Sequence, residues 1–205
     1  MLDESLPCVS RISTVCLVAR AREFVRRGLC GVIVRVNNGG MEIRRATVND
    51  AAGIAALGAY VQELHHARHP EWFKPANVAE GVALYESVLV GPDVVAFVAV
   101  EGVEVIGYVL VTVSDRAETP RNWHHRMISI DEIGVAPQER RRGRGRQLIE
   151  AVRDLAHQVS ADRIELTTWD FNTDAHRFFE AQGLTSELRR MSMPWPPSRP
   201  SGPQC

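Results

Sequence analysis

The stretch Val135-Ala136-Pro137-Gln138-Glu139-Arg140-Arg141-Arg142-Gly143-Arg144-Gly145-Arg146 joins two segments of different period. Before it, residues 126–135 are rich in β-branched and apolar side chains and read as a strand. After it, Gln147-Leu148-Ile149-Glu150-Ala151-Val152 opens a helical pattern that runs from about 144 to 159. With a further strand at 163–169, this strand–helix–strand order is a crossover unit, and it implies two parallel strands inside an otherwise antiparallel sheet. Gly143 and Gly145 let the backbone approach a ligand closely, and the first turn of the helix supplies N–H groups with no partner inside the helix. Such a turn, backed by the helix dipole, binds phosphate. Five arginines, at 140, 141, 142, 144 and 146, add a positive field. The spacing is neither Gly-x-Gly-x-x-Gly nor a Walker loop, and the turn alone also admits a solvated basic cap.

Working outward, a strand is expected at 42–47 and a helix at 50–66, capped by Asn49-Asp50 and carrying Ile54, Leu57, Val61 and Leu64 on one face. Residues 65–77 read as a loop rich in His, Pro and aromatics, and a second helix at 78–90 stops at Gly91-Pro92. Segments 94–100 and 104–113 form a hairpin turned at Glu101-Gly102-Val103. A loop at 114–125 precedes the strand at 126–135. Beyond the crossover, a helix at 173–182 closed by Gly183 is followed by a last strand at 186–193. The tail 194–205 holds five prolines and is expected to be disordered.

The 205 residues are 45% hydrophobic and 24% charged, with a net charge of -1, which excludes global disorder, fibrous repeats and a generally basic nucleic-acid-coating protein. The arginine cluster has no interleaved aromatics and the rest of the domain is acidic, so nucleic acid is not an expected partner. No apolar run approaches the ~18 residues of a membrane span, so no membrane association is expected. Lys74 is the only lysine, against 23 arginines. Cys8, Cys16, Cys30 and Cys205 leave the whole body of the chain free of thiols, which suits a reducing, cytoplasmic setting and neither a zinc site nor a disulfide framework. Residues 1–40 carry six arginines against Asp3, Glu4 and Glu23 and form an N-terminal extension ahead of an orderly domain that opens at Met41. Their short apolar stretch before Ala19-Arg20-Ala21 only faintly imitates a secretory signal, and Asp3 and Glu4 oppose that reading.

Arg140-x-x-Gly143-x-Gly145, between an apolar strand ending at Val135 and the helix beginning around Gln147, resembles the acyl-CoA-binding motif of GNAT-family acetyltransferases. Asn172-x-x-Ala175-x-x-Phe178-Phe179-Glu180-x-x-Gly183-Leu184 resembles the second signature of the same family, and the resemblance covers 41–193. It implies an α/β (α+β) fold: a mixed, mostly antiparallel sheet with a splayed parallel pair, flanked by helices. It also implies acetyl-CoA as cosubstrate and no metal. The turn from Arg140 through Arg141, Arg142, Gly143, Arg144, Gly145 and Arg146 would hold the CoA pyrophosphate. The strand end Ile133-Gly134-Val135 would pair with the pantetheine amides, and Asn172 and Phe178 would flank the pantetheine and thiol end. Asn172 also reads as an ordinary helix cap.

The implied reaction is direct attack of an amine on the thioester. An alkyl amine has a pKa near ~10, so at neutral pH it must lose a proton before attacking. Asp131 and Glu132 stand at the end of the strand before the phosphate turn, and Glu132 is the first choice of base, Asp131 the second. Regular alternation would send the two to opposite faces, but the family usually bulges this strand, which leaves the choice open. Histone-type relatives place the base further back, where this chain has Ser129, whereas an acidic pair looks more like polyamine acetyltransferases. The tyrosine that usually acts as acid is replaced by Phe179, with Tyr108 a weaker substitute that also reads as core packing. His69, Trp72, Phe73 and Trp169 are the candidate walls of the acceptor site. His65 and His69 have metal-ligand spacing on a helix, but Pro70 and the lack of a third ligand oppose a metal. The expected acceptor is a primary amine of a polyamine-like, aminoglycoside-like or amino-acid-like molecule. The alternatives are a protein N-terminus and a non-catalytic acyl-CoA-binding module. A sheet-edge homodimer would suit the fold.

Overall fold

In the computed structural model the described residues are 35–36 and 40–191. The chain divides into two compact units, Met1–Trp169 and Asp170–Cys205. The cysteines, the Ala19-Arg20-Ala21 stretch and the proline-rich tail lie outside the described residues.

The first unit is a six-stranded sheet in sequential order: β1 (Arg35–Val36), β2 (Met41–Arg45), β3 (Val94–Glu101), β4 (Glu104–Arg116), β5 (His125–Val135) and β6 (Arg163–Leu166). All neighbours are antiparallel except β5 and β6, which run parallel as the crossover requires. Helices α1 (Ala51–Arg68) and α2 (Val78–Leu89) follow β2, and α3 (Arg144–Gln158) makes the crossover. One sheet face carries Ala96, Val98, Val100, Tyr108 and Leu110 into a core with Ala51, Ile54, Ala55 and Leu57 of α1 and Tyr85 of α2. Gly107 points the other way and lies against Leu148 of α3. With both faces covered, β4 is buried without interruption from Ile106 to Val111, instead of alternating as a one-sided strand would. No helix among the described residues is long and apolar enough to cross a membrane.

Four sequence expectations change. Arg35–Val36, inside the expected N-terminal extension, pairs with Ile43 and Glu42 of β2. Asp50 does not cap α1 with its side chain. Its carboxylate turns back to a bidentate bond with Arg44 (2.9 and 2.7 Å) and accepts from the Thr47 backbone N–H at 2.7 Å. A buried carboxylate gains more from a guanidinium than from a single N–H. The parallel strand ends at Leu166, short of 169, where its pairing to β5 stops.

The second unit contains α4 (Thr173–Ala181), capped by Asn172, whose side chain accepts from the Ala175 N–H at 3.2 Å. Gly183 closes the helix at φ 84, a conformation that favours glycine. The strand expected at 186–193 is absent from the described part of that segment. Leu188 and Met191 are 93% and 87% exposed, so the segment offers no buried face that would hold it in a ladder.

Candidate functional site

The site in the first unit is built on an irregularity in β5. Leu110 pairs with Glu132 while Val111 pairs with Ile130, so Asp131 is an extra residue bulged out of the ladder. The bulge cancels the alternation. Glu132 receives the hydroxyl of Tyr108, and Asp131 receives that of Thr112 at 2.6 Å, from the same face of β4. Both carboxylates therefore project to the α1–α2 side of the sheet. Their surroundings differ, since Asp131 is exposed and Glu132 is half-buried.

Glu132 sits between two phenols. Tyr85 Oη of α2 donates toward Oε1 and Oε2 at 2.9 and 2.8 Å, and Tyr108 Oη of β4 donates to Oε1 at 2.5 Å. The two rings meet edge to face with centroids 6.2 Å apart. Two glycines make the space. A Cβ on Gly134, the register partner of Tyr108, would stand 2.5 Å from the Tyr108 ring, and one on Gly58 would stand 2.5 Å from Tyr85 Oη. Burial, reinforced by the Glu132 charge, pushes both phenols far above their ordinary range, so they stay protonated donors. Tyr108 packs as the sequence suggests, and its hydroxyl also binds the carboxylate.

Immediately beyond, β5 and β6 part. Their ladder ends at the Ile130–Leu166 pair, while β5 stays bonded to β4 as far as Val135. Residues 131–135, with Ile133, Gly134 and Val135 at the end, thus offer one strand edge with no strand beside it among the described residues. That edge can accept an extended chain bearing amides.

The arginine-rich turn follows. A 3-10 turn, Pro137–Glu139, leads to Arg141 at φ 60 and to Gly143 at φ 79, the N-cap of α3. The first N–H of the helix to reach a carbonyl of the turn is that of Gln147, to Gly143 at 3.1 Å; no acceptor among the described residues is found for those of 141–146. The arginines are not equivalent. Arg142 and Arg144 both bind the buried Glu139 (2.9 and 3.1 Å), Arg146 pairs with Glu150 (3.1 Å), and Arg140 Nε donates to the Val135 carbonyl (3.3 Å). Glu139 thereby anchors the turn and takes two of the five cations. Arg141 is exposed. The free N–H groups, the left-handed backbone and the residual positive charge suit a diphosphate.

The four expected acceptor-wall residues do meet. Trp169 lies 4.6 Å from His69, 5.7 Å from Phe73 and 6.3 Å from Trp72, centroid to centroid. The loop that carries His69, Trp72 and Phe73 is tied back onto α1: His66 Nδ1 donates to the Phe73 carbonyl (2.7 Å), Gln62 to the Lys74 carbonyl (2.7 Å), and the Ala76 N–H to Glu63 (2.6 Å). His65 stacks on Phe73, and His69 donates to Glu71 at 3.0 Å. Burial holds His65 below the usual histidine range, against the opposing pull of the Glu132 charge and with reinforcement from His69. Asn172 serves as the cap of α4, and Phe178 packs edge to face on Phe179 at 5.1 Å within the second unit.

Sequence reasoning missed Tyr85, Gly58 and Glu139. Tyr85 was legible in part: on the helix at 78–90 it shares a stripe with Val82 and Leu89, and a phenol on a buried stripe needs a polar partner.

The acetyltransferase (GNAT) family model matches residues 61–184. Among curated proteins the chain is similar to the uncharacterized N-acetyltransferase YhfO of Bacillus subtilis (strain 168), 27% identical over 148 residues, spanning 72% of this chain and 91% of YhfO. Among solved structures it resembles a tetramutant of the BH1408 protein from Bacillus halodurans, with a TM-score of 0.71, 25% identity, and coverage of 75% of this chain and 99% of that one. The fold is also that of the aminoglycoside N-acetyltransferase AAC(6')-Iy in complex with CoA, with a TM-score of 0.61, 19% identity, and coverage of 76% and 94%.

Proposed function

The chain belongs to the acetyltransferase (GNAT) family and is an N-acetyltransferase, and from that premise we propose that it acetylates a primary amine of a small cationic molecule by direct attack on acetyl-CoA. Polyamine-like, aminoglycoside-like and amino-acid-like acceptors belong to this class. The observation that carries the reading is Glu132: a half-buried carboxylate placed by the β5 bulge next to the point where β5 and β6 separate.

Acetyl-CoA supplies an acetyl thioester. Its diphosphate suits the N–H groups of 141–146 with Arg140, Arg141 and Arg146, and its amide-bearing arm suits the open edge of Ile133, Gly134 and Val135. Asn172 and Phe178 are assigned to the thiol end on the family resemblance alone. Glu132 takes the proton of the incoming amine, Asp131 adds negative charge on the same face, and the new C–N bond displaces the thiolate. A thiol has a pKa near ~8.5 and leaves without a dedicated acid, which agrees with Phe179 in the position usually held by tyrosine. His69, Trp72, Phe73 and Trp169 form the wall against which a cationic acceptor packs, since an aromatic face attracts an ammonium. Residues 41–193 would constitute the catalytic domain, working in the reducing cytoplasm.

The test is thiol release from acetyl-CoA across diamines, polyamines, aminoglycosides, amino acids and peptide N-termini, repeated with Glu132→Gln. A small amine should turn over, and the variant should lose about 10²–10⁴-fold in kcat at neutral pH, recovering only as pH nears the amine pKa. A preference for peptide N-termini would overturn the acceptor class. Unchanged kinetics in Glu132→Gln would remove it from the mechanism.

A further inference from the structure

We propose that Tyr85 and Tyr108 are positioning residues that fix the Glu132 carboxylate in orientation and leave Oε2 as the oxygen that takes the acceptor's proton. This rests on the reading of Glu132 as the base. Oε1 accepts from Tyr108 at 2.5 Å and shares the Tyr85 proton at 2.9 Å, so its two lone pairs are engaged. Oε2 meets only the other branch of the Tyr85 contact, at 2.8 Å, and keeps a lone pair for a further donor.

The clamp is built from three separate elements. Tyr108 is fully buried on β4, Tyr85 is 7% exposed on α2, and Gly58 of α1 leaves the room both hydroxyls need. An ordinary side chain at 58 or 134 would push a ring off the carboxylate, so the arrangement depends on both glycines. Both phenols remain protonated, which makes them fixed donors and not proton carriers. The other charged or titratable groups near Glu132 are His65 from α1, which feels its charge, and Asp131 beside it on β5, which accepts from Thr112; on β6, Glu165 accepts from Ser129 at 3.3 Å. The two phenols bond the Glu132 carboxylate directly and so hold its orientation.

The experiment uses Tyr85→Phe and Tyr108→Phe, which keep the rings and delete the hydroxyls, and follows kcat and KM for the best amine and for acetyl-CoA. Each deletion removes a hydrogen bond to a charged group and loosens the carboxylate, so kcat should fall by about tenfold or more. KM for acetyl-CoA should stay unchanged. Added to Glu132→Gln, Tyr85→Phe should have no further effect on kcat. An unchanged kcat in folded Tyr85→Phe and Tyr108→Phe, while Glu132→Gln loses turnover, overturns the clamp and spares the base. An equal loss with and without the Glu132 carboxylate also overturns it. If Tyr108→Phe does not fold, Tyr85→Phe decides alone. Normal turnover by Glu132→Gln would overturn the base and the clamp together.

Discussion

Replacing Gly58 by alanine sets helix propensity against packing. Gly58 lies inside α1, where alanine alone should add about 0.5–1 kcal/mol of stability. Its Cβ, however, would stand 2.5 Å from Tyr85 Oη, 3.3 Å from Tyr85 Cε2 and 3.3 Å from Tyr108 Oη. The first distance is well inside van der Waals contact, and Tyr85 is buried with its hydroxyl bonded to Glu132, so it has nowhere to retreat without releasing that bond. Overpacking of this kind costs about 1–3 kcal/mol, and a hydrogen bond to a charged group is worth about 1.5–3 kcal/mol. Packing wins. The net loss is about 1–4 kcal/mol, which lowers Tm by several degrees in a domain of this size. The assay is thermal unfolding together with kcat/KM, in wild type and in a Tyr85→Phe background. Without Oη the nearest remaining atom is 3.3 Å away, so Gly58→Ala should cost far less there, giving a coupling of about 1 kcal/mol or more. A variant that is more stable than wild type with unaltered kinetics, or one equally damaging in both backgrounds, would refute the steric argument.

Glu139→Gln should separate phosphate-turn order from chemistry. It weakens the shared partner of Arg142 and Arg144, and the expected result is a higher KM for acetyl-CoA, a near-normal kcat, and a stability loss of about 1–3 kcal/mol read from denaturant titration. Asp50→Asn tests the buried pair with Arg44. Burial raises the Asp50 pKa, but the bonds from Arg44 and Thr47 outweigh it, and the folded-state value lies below the usual carboxylate range. A depressed carboxylate contributes stability above its unfolded pKa of about 3.9 and loses it as pH falls through the folded value. The variant should therefore be less stable than wild type at neutral pH, and the gap in Tm should narrow as pH is lowered below about 4.

Much of the fold was legible because its signals are local. A change of period from strand to helix on either side of 135–146 identifies a crossover, and a crossover demands parallel strands whatever surrounds them. Glycines at 143 and 183 mark a helix start and a helix end because both need positive φ. His69, Trp72, Phe73 and Trp169 are grouped by type and by position near chain turns, and the structure gathers three of them around the Trp169 ring. The strand expected at 186–193 failed for a complementary reason: extended propensity is local, but a strand exists only if something pairs with it and covers it.

By itself, then, the amino-acid order determined the sheet with its parallel pair, the phosphate-type turn and the candidacy of two adjacent carboxylates. Tertiary structure alone set their surroundings. A single extra residue at Asp131 puts both carboxylates on one face, and no sequence alternation reports a bulge. Glu132 gains its two donors from Tyr85, 47 residues away, and Tyr108, 24 away, and two glycines on different elements clear the space. Which arginines stay available around the turn is likewise settled by where Glu139 is buried. Hydrogen bonding and desolvation depend on three-dimensional neighbours, so the environment of this carboxylate is written only once the chain has closed on itself.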